Sequence, residues 1–102
     1  HIVQGHVDQV GSVIGIEELA GSWTFRFEVG IDGDRYLIDK GSVTIQGVSL
    51  TVVSPQAGQF EVAVIPHTFD VTTLGSLSVG SRVNVEFDVL AKHVEKLLSA
   101  RS

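Results

Sequence analysis

Ser49 and Thr51 stand two residues apart in the run Ser49-Leu50-Thr51-Val52-Val53, a β-branched, apolar stretch that reads as a strand. On a strand, alternate residues project to the same side, so the two hydroxyls form a small hydrogen-bonding edge. Such an edge can hydrogen-bond a ligand, but from spacing alone an ordinary pair of solvent-facing hydroxyls is the plainer reading. Lys40 precedes Gly41 at the start of a strand, and a solvated turn lysine is the plain reading. His6 follows Gly5, where a glycine lets a ligand approach the backbone closely. Because histidine titrates near neutral pH, His6 is a candidate for proton transfer, with a half-buried strand histidine as the equal alternative. Pro66-His67-Thr68 opens a possible helical turn in which Thr68 is a candidate cap and His67 has a surface role. Asp88 directly precedes a helical stretch and suits its N-cap.

Other chemistries find no support. The chain has no phosphate-binding glycine loop, no dinucleotide fingerprint, no zinc-protease helix motif and no nucleophile elbow. His1 and His6 are five residues apart, poor spacing for two ligands on one strand face, and no metal site is expected. With 12 acidic and 7 basic residues the formal net charge is −5, and the basic residues are scattered, which argues against a nucleic-acid partner. There is no cysteine, so a disulfide scaffold and a thiolate metal site are excluded. No apolar run approaches the roughly 20 residues that span a bilayer, so no membrane partner is expected. No signal peptide is visible. The chain starts at His1 rather than Met, which suggests a fragment of a longer protein.

The elements that must position these residues are mostly short strands. At 102 residues the chain fits one domain. From Ile2 to Ile16 apolar and polar residues alternate loosely, interrupted by Gly5, Gly11 and Gly15, which reads as a long or bent strand. Trp23, Phe25, Phe27 and Val29 share one face of the clearest half-buried strand. Asp32-Gly33-Asp34 is a turn signal before a short run at Tyr36 to Ile38. Further strands are expected at Val43 to Gln46, Ser49 to Val53, Phe60 to Ile65 and Arg82 to Asp88, with Pro55 to Gly58 as a loop. Pro66 opens a single helical turn through Asp70. From Val89 to Ala100 the period changes, and Val89, Leu90, His93, Val94, Leu97 and Leu98 form one apolar stripe at helical spacing. That stripe packs either on its own barrel or on other subunits, with equal weight. The expected fold is all-β: about six strands in a closed barrel, because a small valine-rich sheet must hide its edges.

Three segments carry more than a plain barrel needs: Gln4 to Asp8, Lys40 to Val52 and Ile65 to Gly75. Together they resemble the riboflavin synthase family, and its lumazine-binding repeat in particular. The family's GGH-x-x-x-GHVD opening appears as His1 to Asp8. Its KGS-x-x-x-x-G-x-SLTV segment is matched by Lys40 to Val52, and its IP-x-T-x-x-x-TTLG segment by Ile65 to Gly75. A G-x-x-VN-x-E-x-D segment and a following helix match Gly80 to Asp88 and the tail. The resemblance covers nearly the whole chain, in order. The family's N-terminal barrel has Cys where this chain has Ser49, so the resemblance is to the C-terminal repeat. Family members carry two such barrels in tandem, whereas one is present here.

The resemblance implies a six-stranded Greek-key closed barrel over residues 1–88 and an oligomerisation helix over 89–102. It implies a dismutation in which two molecules of 6,7-dimethyl-8-ribityllumazine exchange a four-carbon unit, giving riboflavin and 5-amino-6-ribitylaminouracil. No cofactor is needed. The active protein is a cytoplasmic homotrimer, and the site forms where the N-terminal barrel of a neighbouring subunit faces a C-terminal barrel. Carried onto this chain, substrate binding falls to Gly5, His6, Val7, Lys40, Ser49, Leu50, Thr51, Ile65, Pro66, His67, Thr68, Phe69, Asp70 and Asp88. His6 is the candidate catalytic residue. Ser49 and Thr51 hydrogen-bond the ligand at a barrel mouth, and Lys40 reaches a ring carbonyl or the ribityl chain. Gly5 and Val7 offer backbone contacts, Ile65 packs on the ring, and Asp88 accepts from ribityl hydroxyls. The alternative from a different class is a non-catalytic module that holds a lumazine or flavin.

Overall fold

The computed structural model describes residues 7–101. Among the described residues there are seven strands: β1 (Gln9–Leu19), β2 (Ser22–Glu28), β3 (Ser42–Ile45), β4 (Val48–Thr51), β5 (Val53–Gln56), β6 (Gln59–Val64) and β7 (Arg82–Phe87). Two helices join them, α1 (Pro66–Val71) and α2 (Val89–Arg101). All neighbouring strands run antiparallel, in the order β4-β3-β7-β1-β2-β6-β5.

Alternation decides which side of each strand is buried. Phe25, Phe27, Phe60, Val62, Val64, Val83, Val85, Val43 and Ile45 all point inward and are almost fully hidden from solvent. They meet in one core, joined by Leu50, Val52, Leu74 and Phe87. Their aromatic rings fill the interior: Phe25 lies 5.9 Å from Phe27, and Phe27 lies 5.6 Å from Phe60. The centre of the curled sheet is therefore packed side chain.

Three hairpins use the same two-residue turn. Ala20-Gly21, Gln46-Gly47 and Ala57-Gly58 all carry positive φ, between 51° and 85°, the geometry of a type I′ turn. Its backbone twist matches that of the flanking strands, so each hairpin closes in register: Leu19 opposite Ser22, Ile45 opposite Val48, Gln56 opposite Gln59.

The expected closed six-stranded barrel is corrected in two respects. First, Pro55 lies inside β5 rather than in a loop. Proline lacks an N–H donor and is tolerated on an edge strand, and β5 is the last strand of the order. Ser54 within it has φ 51°, and the β5–β6 register slips there. Second, the sheet is curled but open. Among the described residues, β4 pairs only with β3, and β5 only with β6. Val52 divides the two strands because its N–H donates to Gly41 O at 2.8 Å and its carbonyl accepts from Lys40 N–H at 2.7 Å. The bent strand thus leaves one sheet edge and joins the other, and β4 packs alongside β6.

Two further expectations shift. Residues 31–36 form a 3-10 turn, and the Tyr36 ring packs 5.1 Å from Phe87. β1 extends beyond Ile16 to Leu19, while residues 2–6 lie outside the described residues. α2 forms as expected, but its apolar stripe does not cover the sheet. Val89, Leu90, Val94, Leu97 and Leu98 are exposed, and Ala91 is the residue buried. The helix is held by Lys92, whose Nζ lies 3.1 Å from Asp8 Oδ1. Among the described residues, no helix is long and apolar enough to cross a membrane.

Candidate ligand-binding face

The β3–β4 hairpin puts Val43, Ile45 and Leu50 into the core. By strand alternation it turns Ser42, Thr44, Ser49 and Thr51 outward. Pairing aligns these hydroxyls in rows: Thr51 stands opposite Ser42, and Ser49 opposite Thr44. β7 continues the second row, since Thr44 also pairs with Glu86. The first row ends on Asp88, whose Oδ2 accepts from Ser42 Oγ at 2.7 Å. Three strands therefore contribute adjacent hydroxyls and carboxylates to one outward face.

Asp88 is also the N-cap of α2: its Oδ1 accepts from Leu90 N–H at 2.8 Å. The Ser42 hydroxyl, and after it the Leu90 amide, hold the Asp88 carboxyl below its ordinary value, with slight burial acting the other way. Both bonds favour the charged form. A carboxylate held this low is a weak base at neutral pH but a good hydrogen-bond acceptor.

Lys40 sits beside this ladder in the left-handed conformation, φ 68°. Its N–H bond to Val52 O anchors it one residue past Thr51. Val7, two residues before β1, is exposed. With Thr44, Gln46, Gly47, Asn84, Val85 and Glu86 it lines a shallow cavity of about 240 Å³. The first and second segments singled out in the sequence thus meet around Thr44. Larger hollows of about 430 and 450 Å³ lie elsewhere, around Ser54 to Glu61 and around Gly11 and Arg82. These two contain none of the residues of the three segments, whereas a third of about 400 Å³, around Gln9, Tyr36 and Lys92, takes in Asp8 of the first segment.

The third segment reaches the face from β6. That strand ends at Val64, and α1 follows at once with Pro66 in its first turn. Ile65, not Thr68, is the N-cap residue, and it makes no side-chain capping bond. The cap expected of Thr68 is corrected accordingly: Thr68 lies inside the helix, where its carbonyl accepts from Thr72 Oγ1 at 2.6 Å. Ile65 and His67 are exposed. Phe69 is half-buried, its ring stacked on Trp23 with centroids 4.1 Å apart. β4 packs alongside β6, the strand that leads directly into this corner.

The face gathers Val7, Lys40, Ser49, Thr51 and Asp88, with Ile65 to Thr68 beside it. Leu50 points into the core, which leaves it only backbone contacts to offer. Gly5, His6 and the Asp70 side chain lie outside the described residues. Sequence reasoning missed Ser42, Thr44 and Trp23. The first two share the outward alternation of Ser49 and Thr51 across the hairpin, and counting forward from Lys40-Gly41 would have found them. Trp23 was assigned to the core side, and nothing local signals its partner in α1. Among the described residues, no cluster of three or more histidine or acidic side chains could hold a metal ion.

A curled antiparallel sheet with a packed core and a polar, hydroxyl-lined outer face is the class of protein defined so far. The lumazine binding domain family matches residues 4–88, and the chain belongs to that family. It is 48% identical over 101 residues to the riboflavin synthase of Mycobacterium tuberculosis, covering 96% of this chain and 50% of that protein. It is 44% identical over 98 residues to the riboflavin synthase of Actinobacillus pleuropneumoniae, covering 96% of this chain and 46% of that protein. The chain spans about half the length of these curated relatives. Among solved structures, LumP complexed with 6,7-dimethyl-8-(1'-D-ribityl) lumazine superposes with a TM-score of 0.76 at 22% identity, over 86% of this chain and 49% of that one. LumP complexed with flavin mononucleotide gives 0.79 at 23% identity, over 85% and 49%. At these identities the likeness is one of fold.

Proposed function

We propose that this chain is the C-terminal lumazine-binding half of a riboflavin synthase, and that its outward hydroxyl face binds 6,7-dimethyl-8-ribityllumazine. The observation that carries this reading is the ladder Thr51–Ser42–Asp88 beside Ser49–Thr44, on a strand packed against β6, which leads into the Ile65–Thr68 corner. A ribityllumazine has a flat ring with amide-like edges and a polyhydroxyl tail. The ring suits an apolar corner with hydroxyls, exposed Ile65 packing on it. The ribityl hydroxyls suit a carboxylate that stays ionised, which is what Ser42 and the helix cap make of Asp88. Lys40 supplies a cation for a ring carbonyl or the ribityl chain. Leu50, Pro66, His67, Phe69 and Asp70 complete the binding set, the first through its backbone.

In the whole enzyme, two such lumazines exchange a four-carbon unit to give riboflavin and 5-amino-6-ribitylaminouracil. The step begins with loss of a proton from the C7 methyl of one lumazine, whose anion delocalises into the ring. Asp88 is too weak a base for that proton, and His6 is the candidate to move it. Most of the rate comes from holding two plates face to face.

The depth of the face bears on the partner. Ligand sites of drug-like size occupy about 300–1,000 Å³ and bury most of the ligand, whereas the hollow at Val7 and Thr44 is about 240 Å³. A second surface must complete the site, and the N-terminal barrel of a neighbouring subunit fits that need. The exposed stripe of α2 is the contact through which a cytoplasmic homotrimer assembles. On its own, the chain binds without turning over, which is the sense in which the binding-module alternative holds for it.

Titrating the chain with ribityllumazine and with riboflavin by fluorescence, beside a turnover assay, tests this reading. Saturable binding of both without turnover is expected. A flat titration with both ligands contradicts it.

A further inference from the structure

Trp23 stands directly opposite Val64 in the β2–β6 ladder. Its indole also lies flat on Phe69 of α1, with ring centroids 4.1 Å apart and planes within 4°. Phe69 leans in turn on the buried Phe25 ring, 6.2 Å away. Residues 65–68 are thus bracketed, with the strand partner of Trp23 immediately before them and its stacking partner immediately after. α1 has little strength of its own. It is six residues long, well below the length at which a helix is stable alone. Its N-cap lacks a side-chain bond, and Ile65, Pro66 and His67 are exposed. From behind, the backbone of Phe69 is closely covered: a Cβ on Gly75 would meet Phe69 O at 2.6 Å.

We infer that Trp23 is a positioning residue: through its stack on Phe69 it sets the angle at which Ile65–Thr68 leaves the sheet, and with it the affinity for the ring of a ribityllumazine. The inference rests on the lumazine reading above. Trp23 acts at one remove, through Phe69. A parallel ring pair fixes both separation and tilt, whereas an aliphatic side chain of similar bulk fixes neither.

The test compares Trp23→Phe, which keeps a ring able to stack, with Trp23→Leu, which keeps apolar bulk without a face. In the ligand-free chain, amide hydrogen exchange is read at Phe69 and Thr72, whose N–H groups donate to Ile65 O and Thr68 O at 3.0 and 3.2 Å. Trp23→Leu should speed exchange there by about tenfold or more relative to Val13 in β1, while Trp23→Phe changes it by less than about threefold. In a ribityllumazine titration, Trp23→Leu should bind about tenfold more weakly, the size of one lost aromatic pair, and Trp23→Phe within about twofold of wild type. Unchanged exchange at Phe69 and Thr72 in Trp23→Leu overturns the inference whatever the ligand does, as does unchanged affinity. Equal loss in the two variants also overturns it, since a ring would then confer nothing. No binding by the wild-type chain, with exchange still accelerated in Trp23→Leu, overturns the lumazine reading and the affinity half of this inference. Phe69→Leu removes the same stack from the helix side and decides the matter if Trp23→Leu folds poorly, read by exchange because Phe69 is itself in the proposed binding set: faster exchange at position 69 and at Thr72 is expected, and its absence overturns the inference.

Discussion

Asp88 does two jobs with its two oxygens. Oδ1 caps α2 and Oδ2 takes the Ser42 hydroxyl, and both bonds hold its carboxyl below the ordinary 3.8. A carboxylate whose folded-state value lies below the unfolded one adds stability above the unfolded value, and loses it as pH falls through the folded value. Asp88→Ala should therefore cost about 1 kcal/mol at neutral pH, the usual size of a lost N-cap. The gap from wild type should narrow as pH drops below 3.8, as urea unfolding at a series of pH values would show. A gap that is constant with pH would mean that the charge contributes nothing. Ser49 and Thr51 behave differently because both are exposed. The double change Ser49→Ala, Thr51→Val should leave the melting temperature within about 2 °C of wild type, as surface substitutions do. It should weaken ribityllumazine binding by about tenfold or more, two hydrogen bonds being lost. A large fall in melting temperature with unchanged affinity would make them structural hydroxyls. These side chains were legible in the sequence because alternation fixes the side to which i and i+2 point. Ser42 escaped notice because its importance lies in Asp88, 46 positions away.

At the scale of elements, the turns carry the most readable physics. Ala20 has φ 54°, in the left-handed region where a Cβ is unfavourable and asparagine is tolerated better. Ala20→Asn, at an exposed turn, should stabilise the chain by about 0.5 kcal/mol or more, measured by denaturant midpoint. Loss of stability would mean that the β1–β2 turn is not of the type I′ form. The alternating strands were likewise legible: Trp23 to Val29, Phe60 to Val64 and Arg82 to Phe87 each declare an inward face. β5 was not, because Pro55 reads as a breaker unless the strand is known to lie at an edge, and edge position is a property of the whole sheet. Nor does alternation show that Val52 bonds to Lys40 and Gly41 and so divides one apparent strand into β4 and β5.

At the scale of the molecule, a packed core pushes function to the surface. Phe25, Phe27 and Phe60 fill the interior of the curled sheet, and the Ser49 and Thr51 hydroxyls of β4 lie on its exposed side. That face is shallow, and the stripe of α2 is exposed. Both features suit the second surface proposed above. The sequence resemblance named the residues of the proposed face but not its outward direction, which follows from how the strands curl around their aromatic side chains. The most direct test is amide chemical-shift mapping of the chain titrated with 6,7-dimethyl-8-ribityllumazine. Saturable shifts at Lys40, Ser49, Thr51, Ile65 and Thr68, with Glu17 to Gly21 at the far hairpin unmoved, are expected. Shifts confined to the hollows around Ser54 to Glu61 or Gly11 and Arg82, with Ser49 and Thr51 silent, would contradict the account.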